Sequence, residues 1–165
     1  FLGGTLGNFD RDEVDVFLSG IFDQLAMGDS LLLGVDLVKD TKRLIRAYHD
    51  SQGVTEAFIR NILDVATREW GTTLEQEWFD YLVDWNDTDS RSEMSLVAKE
   101  HLNIRMEDLD VDLALSRGER ILVETSHKFE VEEVSFLMER AGFTVAKLMS
   151  DADEDFMVAL ATKSR

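Results

Sequence analysis

Hydrophobic positions change their spacing from one stretch of the chain to the next. The apolar pair at residues 1–2 is followed at once by a glycine-rich loop at 3–8, and glycine lets a chain turn away from a strand. Apolar residues then recur at helical spacing over 14–25. The uninterrupted apolar run at 31–35 is typical of a strand buried on both faces, as in parallel sheets. This order predicts a βαβ unit whose first loop leaves the carboxyl end of a strand.

The middle of the chain mixes helical and strand patterns, and its end returns to the opening order. Helices are predicted over 40–48, from a cap at Thr55 to a break at Gly71, and over 131–138. Strands are predicted over 93–98, 102–106, 111–115, 120–126, 143–149 and 156–161. We therefore predict an α/β core at 1–36 and 129–165 that brackets a domain inserted at 37–128.

The charge balance and the absence of cysteine narrow the classes of function. The chain of 165 residues has 34 acidic and 17 basic residues, a net charge of −17. A field this negative makes nucleic acid and anionic membrane surfaces poor partners. The lack of cysteine excludes a disulfide framework and thiolate chemistry. No signal peptide and no membrane-spanning apolar run are evident in the sequence, and we expect a cytoplasmic protein.

Acidic and histidine residues give no pattern of a metal site. The three histidines show no metal-ligand spacing and form no Ser/His/Asp arrangement. Asp151, Asp153 and Asp155 alternate like ion ligands, but the rest of a calcium loop is lacking. The acidic triplet is therefore interpreted as a solvated turn, and no metal is expected.

Polar residues at the ends of two predicted strands are candidates for ligand binding. Glu124 and Ser126 are two residues apart, so both side chains leave the same face of a strand. Such a carboxylate can accept a hydrogen bond from one imidazole nitrogen while the hydroxyl donates to the other. A polar strand end that faces water is the commoner arrangement, and Lys128 could pair with Glu124. Asp36 and Lys39 follow the second predicted strand, where open α/β sheets bind ligands.

Three further residues have both a structural and a functional interpretation. Asn8 offers a donor and an acceptor, which suits the ammonium–carboxylate end of an amino acid, although a turn asparagine is commoner. Tyr48 lies four residues after Leu44 on one helical face, as a core tyrosine with a surface hydroxyl would. Met94 on its strand is more often a core residue than a ligand wall.

Five segments together resemble the histidine Nα-methyltransferase family, the S-adenosylmethionine-dependent enzymes that open ergothioneine biosynthesis. The segments are FLGGTLGNF at 1–9, LLLGVDLVKD at 31–40, AYHDSQGVTEAF at 47–58, SRSEMSL at 90–96 and ETSHKF at 124–129. They follow the family order with family-like spacing. The resemblance implies a Rossmann-like α/β methyltransferase core with an inserted α+β substrate-binding domain, and S-adenosyl-L-methionine as the co-substrate.

The resemblance assigns seven residues to an amino-acid substrate, L-histidine: Gly3, Thr5, Asn8, Tyr48, Met94, Glu124 and Ser126. Asn8 and Tyr48 would hold the carboxylate and the amino group, and the loop residues before Asn8 would lie near the amine. Glu124 and Ser126 would bind the imidazole, in a pocket also lined by the methionine. No residue is assigned as a general base.

The family's motifs for binding S-adenosylmethionine precede the segment that matches Phe1. We therefore expect the chain to be a C-terminal half, with the cofactor-binding residues in a missing N-terminal half. Of the usual sheet order 3-2-1-4-5-7-6, this piece would keep 4-5-7-6. Alone, it is expected to be inactive and to bind S-adenosylmethionine negligibly. Two alternatives stay open: an N-methyltransferase of another amino acid (tryptophan-type), and a non-catalytic amino-acid-binding remnant.

Overall fold

The computed structural model describes residues 1–164, which form four α-helices and eight strands. The helices are α1 (Arg11–Gln24), α2 (Thr41–Tyr48), α3 (Val54–Glu69) and α4 (Val131–Arg140). The strands are β1 (Ser30–Asp36), β2 (Phe79–Asn86), β3 (Arg91–Ala98), β4 (Leu102–Met106), β5 (Val111–Leu115), β6 (Arg120–His127), β7 (Thr144–Ser150) and β8 (Phe156–Thr162). These elements belong to two compact units.

The first unit comprises residues 1–40, the turn 86–91 and the chain from Ser126 onward. Its sheet has the order β1-β8-β7, with β8 antiparallel to both neighbours. Leu2 continues the sheet beyond β1 through a parallel bridge to Leu33. Residues 1–2 are therefore a strand end, as the apolar pattern predicted. The resulting order confirms the expected 4-5-7-6 arrangement, in which only the strand corresponding to β8 is reversed.

Helices α1 and α4 in the first unit both begin with acidic caps. The Glu13 carboxylate accepts a 3.0 Å hydrogen bond from the backbone N–H of Asp10, and Glu133 accepts one of 3.3 Å from Glu130. Acidic groups also complement the positive end of the helix dipole. The apolar faces of the two helices and of the sheet form one core. Its most buried members include Val14, Leu18, Leu33, Val134, Met138, Ala159 and Ala161.

The second unit comprises residues 41–85 and 92–125. Strands β2, β3 and β6 form a sheet in the order β2-β3-β6, and β4 pairs with β5 in an antiparallel hairpin. The core of the unit includes Ile59 and Leu63 from α3 and Phe79 and Leu96 from the sheet. The apolar positions of the helix and strand patterns in the middle segment therefore pack into one core.

The start of α3 differs from the prediction. Thr55 does not cap the helix, which already begins at Val54. Instead, the Asp50 carboxylate accepts hydrogen bonds from the backbone N–H groups of Val54 (3.1 Å) and Thr55 (2.9 Å). An aspartate just outside a helix satisfies its first N–H groups better than a threonine inside it.

None of the helices in residues 1–164 combines the length and the apolar character needed to cross a membrane. The mixed α/β class predicted from the sequence is confirmed. The division into a core at 1–36 and 129–165 and an insertion at 37–128 stays a prediction.

Candidate functional site

The glycine-rich loop of the first unit forms a short 3₁₀ helix, Gly4–Asn8, that packs against the end of β6. A Cβ atom on Gly7 would lie 2.7 Å from the backbone oxygen of His127 and 3.5 Å from the Ser126 hydroxyl. Only glycine permits so close an approach. The loop and Ser126, two of the predicted elements of the site, are therefore brought together.

The loop also leaves backbone and side chains open to a ligand. Nothing lies within 4 Å of a Cβ built on Gly3 or Gly4. Thr5 and Asn8 are exposed, whereas Leu6 between them is buried and anchors the turn. The predicted positions Gly3, Thr5 and Asn8 thus lie on one accessible loop.

Lys128 makes two contacts in this region that the sequence did not indicate, besides the pairing with Glu124 considered above. Its side chain is 1% exposed, and its ammonium lies 3.0 Å from the Asp36 carboxylate. The ammonium also donates a 2.8 Å hydrogen bond to the Ser126 hydroxyl. A buried charge needs such partners, because desolvation without them is costly. The only sequence signal was the placement of Asp36 at the end of a strand.

Asp36 is shared between two lysines. Lys39 donates a 2.6 Å hydrogen bond to the second oxygen of the Asp36 carboxylate and a 2.7 Å bond to the backbone oxygen of Asp155. The two residues predicted on the ligand-binding side of β1 thus bind each other. Through Asp36, the network links the end of β1 with Lys128 and Ser126.

In the second unit, Tyr48 is the last residue of α2 and is held through its backbone. The hydroxyl of Tyr81 donates a 2.8 Å hydrogen bond to the Tyr48 carbonyl oxygen, and the rings of His49 and Tyr81 stack with centroids 5.9 Å apart. Tyr81 was not singled out in the sequence. Its signal was the alternation of large residues along β2, in which Phe79 and Val83 are buried.

The electrostatics around Tyr81 place Glu124 in the same part of the second unit. Burial, together with the negative charges of Glu56, Asp50 and Glu124, raises the pKa of Tyr81 to about 12. The phenol therefore stays protonated and remains a donor at neutral pH. The surrounding carboxylates favour ligand groups that carry N–H donors or positive charge.

Glu124 and Met94 differ in accessibility within the second unit. Glu124 is half-buried and borders a groove of about 390 Å³ lined largely by α3, including Phe58, Ile59 and Ile62. Met94 is 1% exposed and belongs to the apolar core of the unit. Its contacts are those of a core residue, and its assignment to a ligand wall stays a prediction.

Asp151, the first residue of the acidic triplet in the first unit, caps the turn that contains it. The Asp151 carboxylate accepts hydrogen bonds from the backbone N–H groups of Phe156 (2.9 Å), Asp155 (2.8 Å) and Asp153 (3.3 Å). The backbone N–H of Phe156 is the main cause that lowers the pKa of Asp151. Satisfying backbone donors is the usual role of aspartate in turns.

Comparison with known proteins gives consistent matches along the chain. The family described as histidine-specific methyltransferase, SAM-dependent, matches residues 1–163. A histidine N-alpha-methyltransferase of Mycolicibacterium smegmatis is 42% identical over 163 residues, 99% of this chain and 51% of its own length. An ergothioneine biosynthesis protein 1 of Neurospora crassa is 32% identical, over 86% of this chain and 16% of its own length. An L-tryptophan methyltransferase of Psilocybe serbica is 29% identical, over 86% of this chain and 40% of its own length.

The chain spans about half the length of the bacterial relative. The family match runs through nearly all of this chain. The resemblance inferred from the five sequence segments is therefore confirmed. This chain belongs to the family of histidine-specific, S-adenosylmethionine-dependent methyltransferases.

Proposed function

We propose that this chain is part of an enzyme that transfers methyl groups from S-adenosylmethionine to the α-amine of L-histidine, up to trimethylhistidine, in ergothioneine biosynthesis. The observation that carries the proposal is the pairing of Glu124 and Ser126 on one face of β6, in a chain 42% identical to a histidine N-alpha-methyltransferase. A carboxylate acceptor and a hydroxyl donor match the two nitrogens of a neutral imidazole.

The predicted residues have distinct roles in this proposal. Asn8 and Tyr48 bind the carboxylate and amino group of the substrate, with Gly3 and Thr5 close to the amine. Glu124 accepts from the ring N–H. Ser126 donates to the other ring nitrogen, and Met94 lines the pocket. The support is the open loop at 3–8 beside Ser126 in one unit, and the proximity of Tyr48, Tyr81 and Glu124 in the other.

The chemical work of these residues is to bind and orient. S-Adenosylmethionine, when bound, supplies an already activated methyl group, so the protein gains most by holding the amine in line with it. The amine must be neutral to react. We propose that its proton leaves through water beside Thr5 and Asn8, which are exposed on the loop. Neither residue is a strong base, so the proton transfer depends on solvent.

The residues of this chain do not fit the whole co-substrate. The glycine-rich loop closes against β6 through Gly7, where even a Cβ atom would be too near His127. At Gly7 the loop therefore leaves no room for a nucleotide. We propose that most of the S-adenosylmethionine site lies on a segment N-terminal to this chain. In this arrangement, residues 1–36 and 129–165 belong to the methyltransferase core, residues 37–128 form the substrate-binding insertion, and the enzyme acts in the cytoplasm.

A tryptophan-type substrate is the second candidate, favoured by the similarity to an L-tryptophan methyltransferase at 29% identity. The pair of Glu124 and Ser126 favours histidine over tryptophan. An indole has one N–H for Glu124 but no second ring nitrogen for Ser126. A non-catalytic amino-acid-binding remnant is the remaining alternative.

A methylation assay on the complete gene product that contains this chain distinguishes the three candidate functions. The protein is incubated with S-adenosylmethionine and L-histidine, L-tryptophan or other amino acids, and products are read by mass spectrometry. We expect mono-, di- and trimethylated histidine. Methylation of tryptophan alone would support the second candidate, and binding of histidine without turnover would support the remnant.

A further inference from the structure

We propose that His127 is a positioning residue that holds the glycine-rich loop 3–8 against the end of β6. The inference rests on the proposed function, because the loop carries Gly3, Thr5 and Asn8, which are proposed to contact the substrate. The imidazole of His127 is 2% exposed and takes no part in the chemistry proposed above. Its role is to fix the place of the backbone on which the loop packs.

The loop packs on the backbone of His127. A Cβ atom on Gly7 would lie 2.7 Å from the His127 backbone oxygen and 3.5 Å from its backbone nitrogen. Gly7 and its neighbour Leu6 are both buried. A shift of the His127 backbone therefore moves the loop with it, because closely packed groups transmit displacements.

The imidazole of His127 is anchored to the turn at 86–91 by a hydrogen bond. Its Nδ1 atom lies 3.1 Å from the backbone oxygen of Asp89. A carbonyl oxygen can only accept, so Nδ1 carries a proton and donates it. The other ring nitrogen, Nε2, has no hydrogen-bond partner within residues 1–164 and lies 3.5 Å from the Asp10 carboxylate. Within that range, the bond from Nδ1 is therefore the hydrogen bond that fixes the ring.

The turn that receives this hydrogen bond is itself braced. The Asn86 side chain accepts a 3.1 Å hydrogen bond from the backbone N–H of Asp89 and donates one of 3.0 Å to the Asp89 carboxylate. Directly after His127, the backbone N–H of Lys128 donates to the Ser90 carbonyl oxygen at 2.8 Å. The turn therefore holds the end of β6 through the ring of His127 and through the next backbone N–H.

The expected consequence concerns the alignment of the substrate amine. Methyl transfer depends on holding the amine in line, and a misplacement of about 1 Å can cost on the order of 100-fold in rate. Because the loop residues are proposed to lie near the amine, releasing the His127 ring should lower kcat for L-histidine. A merely structural residue would lower the melting temperature and leave kcat unchanged.

The test compares kcat for L-histidine in the complete gene product and in its variants His127→Asn, His127→Gln and His127→Leu. The amide nitrogen of asparagine takes about the place of Nδ1, that of glutamine takes the place of Nε2, and leucine has no donor. We expect His127→Asn to keep kcat within about threefold of the wild type. The other two variants should lower kcat at least about tenfold, the loss of one hydrogen bond.

Leu137→Ala is the control for a general loss of stability, since Leu137 is a buried residue of α4 in the core of the same unit. It should lower the melting temperature, as the truncation of a buried leucine does, and leave kcat within about twofold.

Equal kcat in His127→Asn and His127→Gln would overturn the proposal, and so would wild-type kcat in His127→Leu. If His127→Leu does not fold, the comparison of the asparagine and glutamine variants decides. The nitrogen chemical shifts of the wild-type imidazole, measured by NMR, give a check that needs no variant: an Nδ1 atom without a proton would overturn the proposal. Failure of the wild-type enzyme to methylate L-histidine would instead remove the proposed function, and the nitrogen shifts would still report on His127.

Discussion

The hydroxyl of Tyr81 donates a 2.8 Å hydrogen bond to the backbone carbonyl of Tyr48. This bond fixes the end of α2, from which the Tyr48 side chain extends, to strand β2. A residue proposed to bind the substrate is thus held by a second tyrosine.

Replacing Tyr81 by phenylalanine tests whether this bond positions Tyr48. Tyr81→Phe keeps the ring and removes the donor. The loss should cost about 0.5–1.5 kcal/mol of stability and reduce the free energy of L-histidine binding by a similar amount. Calorimetric titration of L-histidine and thermal unfolding of the full-length protein measure both. Trp78→Phe, in the short 3₁₀ turn before β2, is a control for changing an aromatic residue. Unchanged histidine affinity in Tyr81→Phe would mean that Tyr48 is positioned by other contacts.

Removing the Glu124 carboxylate should weaken the binding of L-histidine and leave that of S-adenosylmethionine alone. Truncating one partner of a buried, charged hydrogen bond costs roughly 2–5 kcal/mol, and a half-buried Glu124 favours the lower end. Calorimetry on Glu124→Ala in the full-length protein measures both affinities. Glu100→Ala, an exposed carboxylate between β3 and β4, should change neither. Wild-type histidine affinity in Glu124→Ala would refute the role proposed for Glu124.

Most helices and strands were predictable here because their signals are local, but strand β2 (Phe79–Asn86) was not among those predicted. The apolar run at 31–35 and the helical spacing at 14–25 contain the pattern of the element itself. The strand end at 1–2 was equally predictable, because two apolar residues followed by glycines are typical of the end of a strand. The start of α3 was missed because its cap, Asp50, lies several residues before the first apolar position.

The contacts of the site were only partly predictable, because they join residues distant in sequence. Ser126 and Glu124 share a face through the two-residue period of a strand, which sequence alone contains. The pairing of Lys128 with Asp36 spans most of the chain. No local pattern distinguishes a lysine that will be buried there from a lysine in solvent. The role of Tyr81 depends likewise on the packing of β2 against the end of α2.

Replacing Gly7 by alanine should destabilise the first unit, because the new Cβ would lie 2.7 Å from the His127 backbone oxygen. Forcing an extra methyl into a packed contact costs typically about 1–3 kcal/mol. Gly4→Ala in the same 3₁₀ helix is the control, since nothing lies within 4 Å of its Cβ. Thermal unfolding of the two full-length variants gives the comparison. Equal melting temperatures would show that the loop can move away from β6 without cost.

The cap of α3 should make the second unit sensitive to acid. The backbone N–H of Thr55, followed by that of Val54, lowers the pKa of Asp50 from 3.8 to about 2. Because the folded pKa lies below the unfolded one, the stabilisation is present above about pH 4 and is lost as the pH falls toward 2. Asp50→Asn removes this titration, so its melting temperature should be lower than that of the wild type at pH 7 and approach it at pH 2. Asp23→Asn, at an exposed position of α1, is the control and should follow the wild type at every pH. A constant difference between Asp50→Asn and wild type from pH 7 to pH 2 would show that the capping is by shape and not by charge.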